Sequence, residues 1–230
     1  MAKKTDKTEE KIAAVEHALD KGEQFFEKNK NLIFYVLLGI IIVVGGIFAY
    51  KKFILGPKEL DAQSQMFAAE QYFEKDSLKL AINGDGTNPG FIQIVDEFGS
   101  TKSGNLAKYY LGICYLKTGE FQQAIDNLES FSSDDQIIGP MAIGATGDAY
   151  LELGNTQKAL DNYLKAAKKK DNDFTAPMFM LKAGWAYEIL GQYDKAIELY
   201  EKIQKEHFRS FESRDVEKYI ARAKGLMGSK

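Results

Sequence analysis

The stretch AGWAYEILGQYDKAIELY, Ala183 to Tyr200, carries a small pair (Ala183, Gly184), a tyrosine (Tyr187), a glycine four residues on (Gly191), then an alanine and a tyrosine four apart (Ala196, Tyr200). The pattern occurs twice more, as TGDAYLELGNTQKALDNY (146–163) and LGICYLKTGEFQQAIDNL (111–128), with periods of 35 and 37 residues. Self-similarity at this spacing marks a repeat architecture. Each copy reads as a helical hairpin. The glycine (Gly119, Gly154, Gly191) ends the first helix in a left-handed conformation. Small residues at Gly112, Gly147 and Gly184, with Ala124, Ala159 and Ala196 opposite, let the two helices approach closely, and the tyrosines fill the space between copies. One hairpin cannot bury its apolar face alone, so stacked copies form a superhelix with a concave inner surface.

Working outward, Ala68-Ala69-x-x-Tyr72 repeats the first-helix pattern, but its expected partner, Ile94-x3-Phe98, arrives about 13 residues late. The insert includes NGDGTNPG (83–90), a turn-rich loop. It does not fit a calcium loop, because position twelve counted from Asn83 is Ile94, where a glutamate is needed. At the other end Val216, Tyr219, Ile220 and Ala223 follow helical spacing, as expected of a helix that closes an array. The expected organisation is a linker and irregular first repeat over 51–104 with an insert near 75–90, three repeats over 105–207, and a capping helix over 208–230.

Before the repeats, LIFYVLLGIIIVVGGIFAY (32–50) contains no charge. Nineteen residues of helix cover roughly the 30 Å hydrocarbon core of a bilayer, and a buried core helix is rarely apolar on every side over such a length. Seven lysines lie within residues 1–31, whereas Lys51, Lys52 and Lys58 follow the span. That bias places the N-terminus in the cytoplasm and residues 51–230 across the membrane. The apolar stretch exceeds that of a secretory leader and no A-x-A-like site follows Ala49, so it reads as an uncleaved anchor. Thr8 to Phe26 reads as an amphipathic helix, with Ile12, Val15, Leu19, Phe25 and Phe26 on one face. Gly39, Gly45 and Gly46 are candidate points of close helix contact within the membrane, although glycine is frequent in spans in any case.

Composition narrows the function. The net charge is −3; residues 1–31 sum to zero and Lys51 and Lys52 add two, so Phe53 onward carries about −5. Such a surface disfavours a nucleic-acid partner, which needs a basic face. The single cysteine, Cys114, excludes an internal disulfide and any multi-cysteine metal site, and its apolar neighbours suggest a half-buried core position. His17 and His207 fall on opposite sides of the expected membrane, so no histidine dyad forms, and no phosphate-binding glycine loop or serine elbow is present. No catalytic residue, cofactor or metal is expected. Binding remains, and first helices lining the concave side nominate Tyr109, Ile113, Met141, Asp148, Leu181, Trp185 and Glu188. Trp185, the only tryptophan, is either a binding hot spot or inter-repeat packing. Met178 and Met180 read as core.

At the repeat residues the chain resembles the tetratricopeptide repeat family over about Asn105 to His207. It departs by Lys108, Ile143 and Met180 at the early aromatic position and by the missing closing proline; Pro140 and Pro177 instead open the next helices. The combination of a short cytoplasmic segment, one span, an irregular first repeat and these hairpins resembles the YfgM family of bacterial inner-membrane proteins, ancillary subunits of the Sec translocon. The resemblance implies a periplasmic repeat domain that associates with SecYEG and a PpiD-type membrane-anchored chaperone, meets unfolded secretory clients, and touches the lipid bilayer through its span. Two other classes stay open: a receptor with cytosolic repeats, as in organellar import, and a scaffold for envelope assembly or division without translocon association.

Overall fold

The computed structural model describes residues 27–228. The amphipathic segment expected over Thr8 to Phe26 lies outside them. Residues 27–50 form helix α1, a π-helical turn follows over Lys51–Leu55, and α2 runs over Gly56–Glu74. The apolar residues of α1 from Phe34 to Tyr50 are all exposed, the best 18-residue window has a mean hydropathy of 2.9, and the helix is long and apolar enough to cross a membrane. Gly39, Gly45 and Gly46 meet open space: a Cβ at any of them has nothing within 4 Å.

The chain divides into two compact units at Pro57 and Lys58. The second continues with α3 (Leu78–Asn83), α4 (Phe91–Phe98), α5 (Lys102–Thr118), α6 (Phe121–Ser130), α7 (Ile138–Glu152), α8 (Thr156–Lys169), α9 (Thr175–Ile189), α10 (Tyr193–Glu206), a 3-10 turn (Glu212–Arg214) and α11 (Val216–Gly228). No strand occurs among the described residues, only an isolated bridge between Gly84 and Pro89. The hairpins α5–α6, α7–α8 and α9–α10 are the three sequence copies. Gly119, Gly154 and Gly191 turn each one with φ of 90°, 76° and 70°, and these left-handed values are what the sequence pattern requires there.

Contacts between hairpins are asymmetric. Helix α7 touches both α5 and α9, while α6, α8 and α10 make no comparable contact with one another. The first helices therefore line the inside of the curve and the second helices fan outward. Buried apolar residues form successive clusters along the array. Ala62, Met66, Ala69, Phe91, Ile94 and Cys114 join α2, α4 and α5; Ala124, Ile125, Leu128 and Ala145 join α6 to α7; Tyr163, Phe179, Tyr200 and Val216 carry the core on to α11. Cys114 is fully buried rather than half-buried, and burial pushes its thiol up to about 12.

The insert is partly helical. Ala81 and Ile82 of α3 are buried, and Tyr110 of α5 stacks on Phe91 at 5.2 Å with Phe73 edge-on at 5.1 Å. Asp85 ties the following loop together by accepting from the Tyr72 hydroxyl and from the backbone amides of Thr87 and Asn88, which holds its carboxyl well below the usual range. Glu59 of α2 reaches the start of α5, accepting from the Lys102 amide (2.7 Å), the Ser103 amide (3.2 Å) and the Ser103 hydroxyl (2.8 Å). A carboxylate there satisfies amides that the helix leaves unpaired and complements its dipole.

Desolvation pushes the Glu59 carboxyl up, but the bonds from Ser103, Gln63 and Lys102 outweigh it and the net shift is downward from 4.5. A lowered folded-state value contributes stability above the unfolded value and loses it as pH falls through the folded one. Glu59→Gln is therefore expected to lower the melting temperature at neutral pH. The difference from the unsubstituted protein should shrink progressively as pH drops below 4.5. Thermal melts across that window check the sign; a gap that widens in acid contradicts the assignment.

Candidate protein-binding groove

The inner face is built from α5, α7 and α9 and closed by the 3-10 turn and α11. At its closed end a cavity of about 250 Å³ is lined by Met178, Leu181, Trp185, Phe211 and Tyr219, with Lys182, Glu212 and Asp215 at its polar edge. Trp185 is 37% exposed and meets the Tyr219 ring edge-on at 5.7 Å. It therefore packs on one edge and offers the rest of its indole to the groove. An apolar floor with a few charged groups at the rim suits a large apolar side chain of a partner.

Leu181 and Trp185 of the sequence-nominated set meet in this cavity. Asp148 lines a second depression, with Leu116, Phe121 and Leu151, where α5 meets α7. Tyr109 and Ile113 are half-buried against the α5–α7 core, with the Tyr109 ring 5.5 Å from Phe131, and Met141 packs against the next cluster. Met180 is core, whereas Met178 belongs to the cavity wall.

The two nominated carboxylates are engaged within the array. Asp148 accepts from the Tyr163 hydroxyl at 2.7 Å and from Lys182 Nζ at 2.8 Å on both oxygens. Glu188 accepts from the Tyr200 hydroxyl at 2.6 Å and, one oxygen each, from Nη2 and Nε of the Arg222 guanidinium, both at 2.9 Å. Each clamp ties a first helix to its own second helix and to a cation 34 residues further on. Burial, then the neighbouring carboxylate, raises the Tyr163 phenol, and burial, then the hydrogen bond to Glu188, raises that of Tyr200. Glu188, with its side chain only 10% exposed, is a structural link between α9, α10 and α11. The first copy has Leu128 at the position of Tyr163 and Tyr200, and therefore no hydroxyl for such a clamp.

Sequence reasoning passed over exposed apolar residues in the connections between helices. Ile137, Phe174 and Phe211 immediately precede α7, α9 and the 3-10 turn and are 40%, 63% and 72% exposed. Their 37-residue spacing was the available signal. Phe208 and Ile189 are also exposed near the closed end of the array. Of these, Phe211 lines the Trp185 cavity and adds to its apolar surface, which suits protein contacts.

Comparison with known proteins agrees with this architecture. Residues 145–207 and, separately, residues 106–134 match the tetratricopeptide repeat family. No curated protein matches the chain. Two crystal structures of nearly identical TPR-like repeats, from a Podosopora anserina protein described as a putative kinesin light chain, each cover 73% of this chain and 87% of their own. One, a single-residue variant, is 18% identical and the other 20% identical, both with a TM-score of 0.56. The MamA protein is 21% identical with a TM-score of 0.52, over 73% of this chain and 85% of that one. At such identities the likeness concerns the fold of the repeats alone. The described residues form a long N-terminal apolar helix followed by a helical repeat array, and the tetratricopeptide matches over residues 106–134 and 145–207 indicate a scaffold for protein–protein interaction.

Proposed function

We propose that the chain is a non-catalytic, membrane-anchored ancillary subunit of the SecYEG translocon, with its repeats in the bacterial periplasm. There it binds a PpiD-type chaperone, emerging secreted proteins, or both. The observation that carries this reading is one fully exposed apolar helix preceding a repeat array whose inner face ends in an open aromatic cavity. The lysine bias of residues 1–31 supports a cytoplasmic N-terminus, and the YfgM-like arrangement supports the translocon as neighbour. Tethering raises the effective concentration of the groove at the translocon exit, so individually weak contacts become useful.

The test is extraction in mild detergent followed by identification of co-purifying proteins, with protease added to spheroplasts as the orientation control. Sec subunits should co-purify, and the repeat domain should be digested from outside. Absence of every Sec subunit, or a repeat domain protected in sealed spheroplasts, overturns the proposal. A protected domain would favour a receptor facing the cytosol.

A further inference from the structure

A second cleft lies on the outer face, away from the Trp185 cavity. Counted from the matching alanines Ala124, Ala159 and Ala196, α6 stops one helical turn before α8 and α10: it has 10 residues where each of the others has 14. The chain instead leaves Ser130 extended, with Phe131 at φ −79° and ψ 139°. In α8 the last turn buries Ala166 and Ala167. Between α6 and α8 the missing turn leaves a cleft of about 510 Å³, with Leu128, Phe131, Ala142 and Ile143 on its apolar side and Lys165 and Lys169 at its edge. Lys165, Lys168 and Lys169 also frame the adjoining depression on α8.

These cations have little internal compensation. Among the described residues no ion pair within 4 Å involves Lys165 or Lys168, and Lys169 meets only the fully exposed Asp134, at 3.8 Å. Two carboxylates share the rim without pairing to these lysines: Glu129 lines the cleft and accepts from the Tyr150 hydroxyl at 3.3 Å, and Asp161 lines the α8 depression and accepts from the Gln157 amide at 3.0 Å. A helix dipole explains cations in the last turn of α8. It does not explain Lys165, a turn earlier, beside an apolar cleft.

We propose that this outer cleft docks an acidic protein segment. One apolar side chain of the segment enters between α6 and α8 while flanking carboxylates pair with Lys165, Lys168 and Lys169. The bound turn would occupy the space that α6 vacates, a helix-in-groove contact selected by charge. This surface is separate from the inner groove and does not rest on the translocon reading.

The test uses the full chain in detergent micelles and a fluorescein-labelled synthetic peptide that places leucine and phenylalanine at i, i+3, i+4 and i+7, with glutamate and aspartate at the positions between them. A control peptide carries lysine at the acidic positions. Anisotropy should report binding of the acidic peptide alone, weakened about tenfold or more by raising salt from about 0.05 to about 0.5 M. Lys165→Glu combined with Lys169→Glu should weaken it at least as much. Asn162→Trp, which fills the cleft without changing charge, should abolish binding, and Trp185→Ala should leave it unchanged. Melting curves confirm that each variant folds; if the charge reversal melts early, Lys165→Gln with Lys169→Gln gives the same readout. Equal binding of the basic peptide, indifference to both cleft variants, or loss with Trp185→Ala overturns the proposal. So does a charge-reversal effect seen only with phosphatidylglycerol vesicles, which would make the lysine face a lipid contact.

Discussion

Gly144→Ala is expected to destabilise the repeat domain by about 2–3 kcal/mol, although alanine is the better helix former. A Cβ at Gly144 would lie 1.8 Å from Cε1 and 2.2 Å from Cζ of Phe179, a ring that is 1% exposed where α7 meets α9. Intrinsic propensity favours the substitution by about 1 kcal/mol, but overpacking a closed core costs about 1–3 kcal/mol and sometimes more, and a contact this short belongs at the severe end. For a domain of this size the melting temperature should fall by roughly 5–10 °C. Phe179→Leu in the same chain should recover part of the loss, a non-additivity expected only of residues in direct contact. Gly225→Ala on α11, where a Cβ meets nothing within 4 Å, should shift stability the other way, by about 0.5–1 kcal/mol. Circular dichroism melts decide the matter, and an unchanged or raised midpoint for Gly144→Ala refutes the packing argument.

Trp185→Ala is expected to weaken capture of the groove's protein partner by about 2 kcal/mol or more, close to 30-fold, with a much smaller loss of stability. The indole is part exposed and forms one wall of the cavity, so truncation removes both the anchor surface and the shape that receives a partner side chain. Trp185→Phe should keep the edge contact with Tyr219 and much of the binding. Leu181→Arg, which spares the tryptophan but charges the floor, should match the alanine variant. Quantifying the co-purified partner beside the melting temperature separates these effects. Equal recovery with Trp185→Ala and Leu181→Arg places the partner elsewhere on the protein.

Much of the architecture was legible because helix packing restricts residue size at fixed intervals. Gly147 and Gly184 announce themselves because a Cβ at either would meet Tyr163 or Tyr200 within 2.7 Å, and Gly119, Gly154 and Gly191 because their φ is positive. Helix α3 was hidden inside a segment whose glycines and asparagines read as a loop, since six residues carry too little periodicity to stand out. The binding surface was harder to read. Asp148 and Glu188 look like groove carboxylates on a helical wheel, and only the fold brings Lys182 and Arg222 beside them. Phe174 and Phe211 sit between helices, where a search for helical faces does not look. The early end of α6 was written in Ser132-Ser133-Asp134-Asp135, a run that favours turns over a further helical turn.

The clamps also set a schedule for folding during synthesis. A chain made from its N-terminus presents each carboxylate before the cation that neutralises it, and here the delay is 34 residues at both steps. Until Arg222 has emerged, the Glu188 carboxylate has only the Tyr200 hydroxyl beside it, and a nearly enclosed charge without its counter-ion opposes closure of the last hairpin. The hairpins α7–α8 and α9–α10 are therefore each completed by sequence that follows them, and α9–α10 waits for α11.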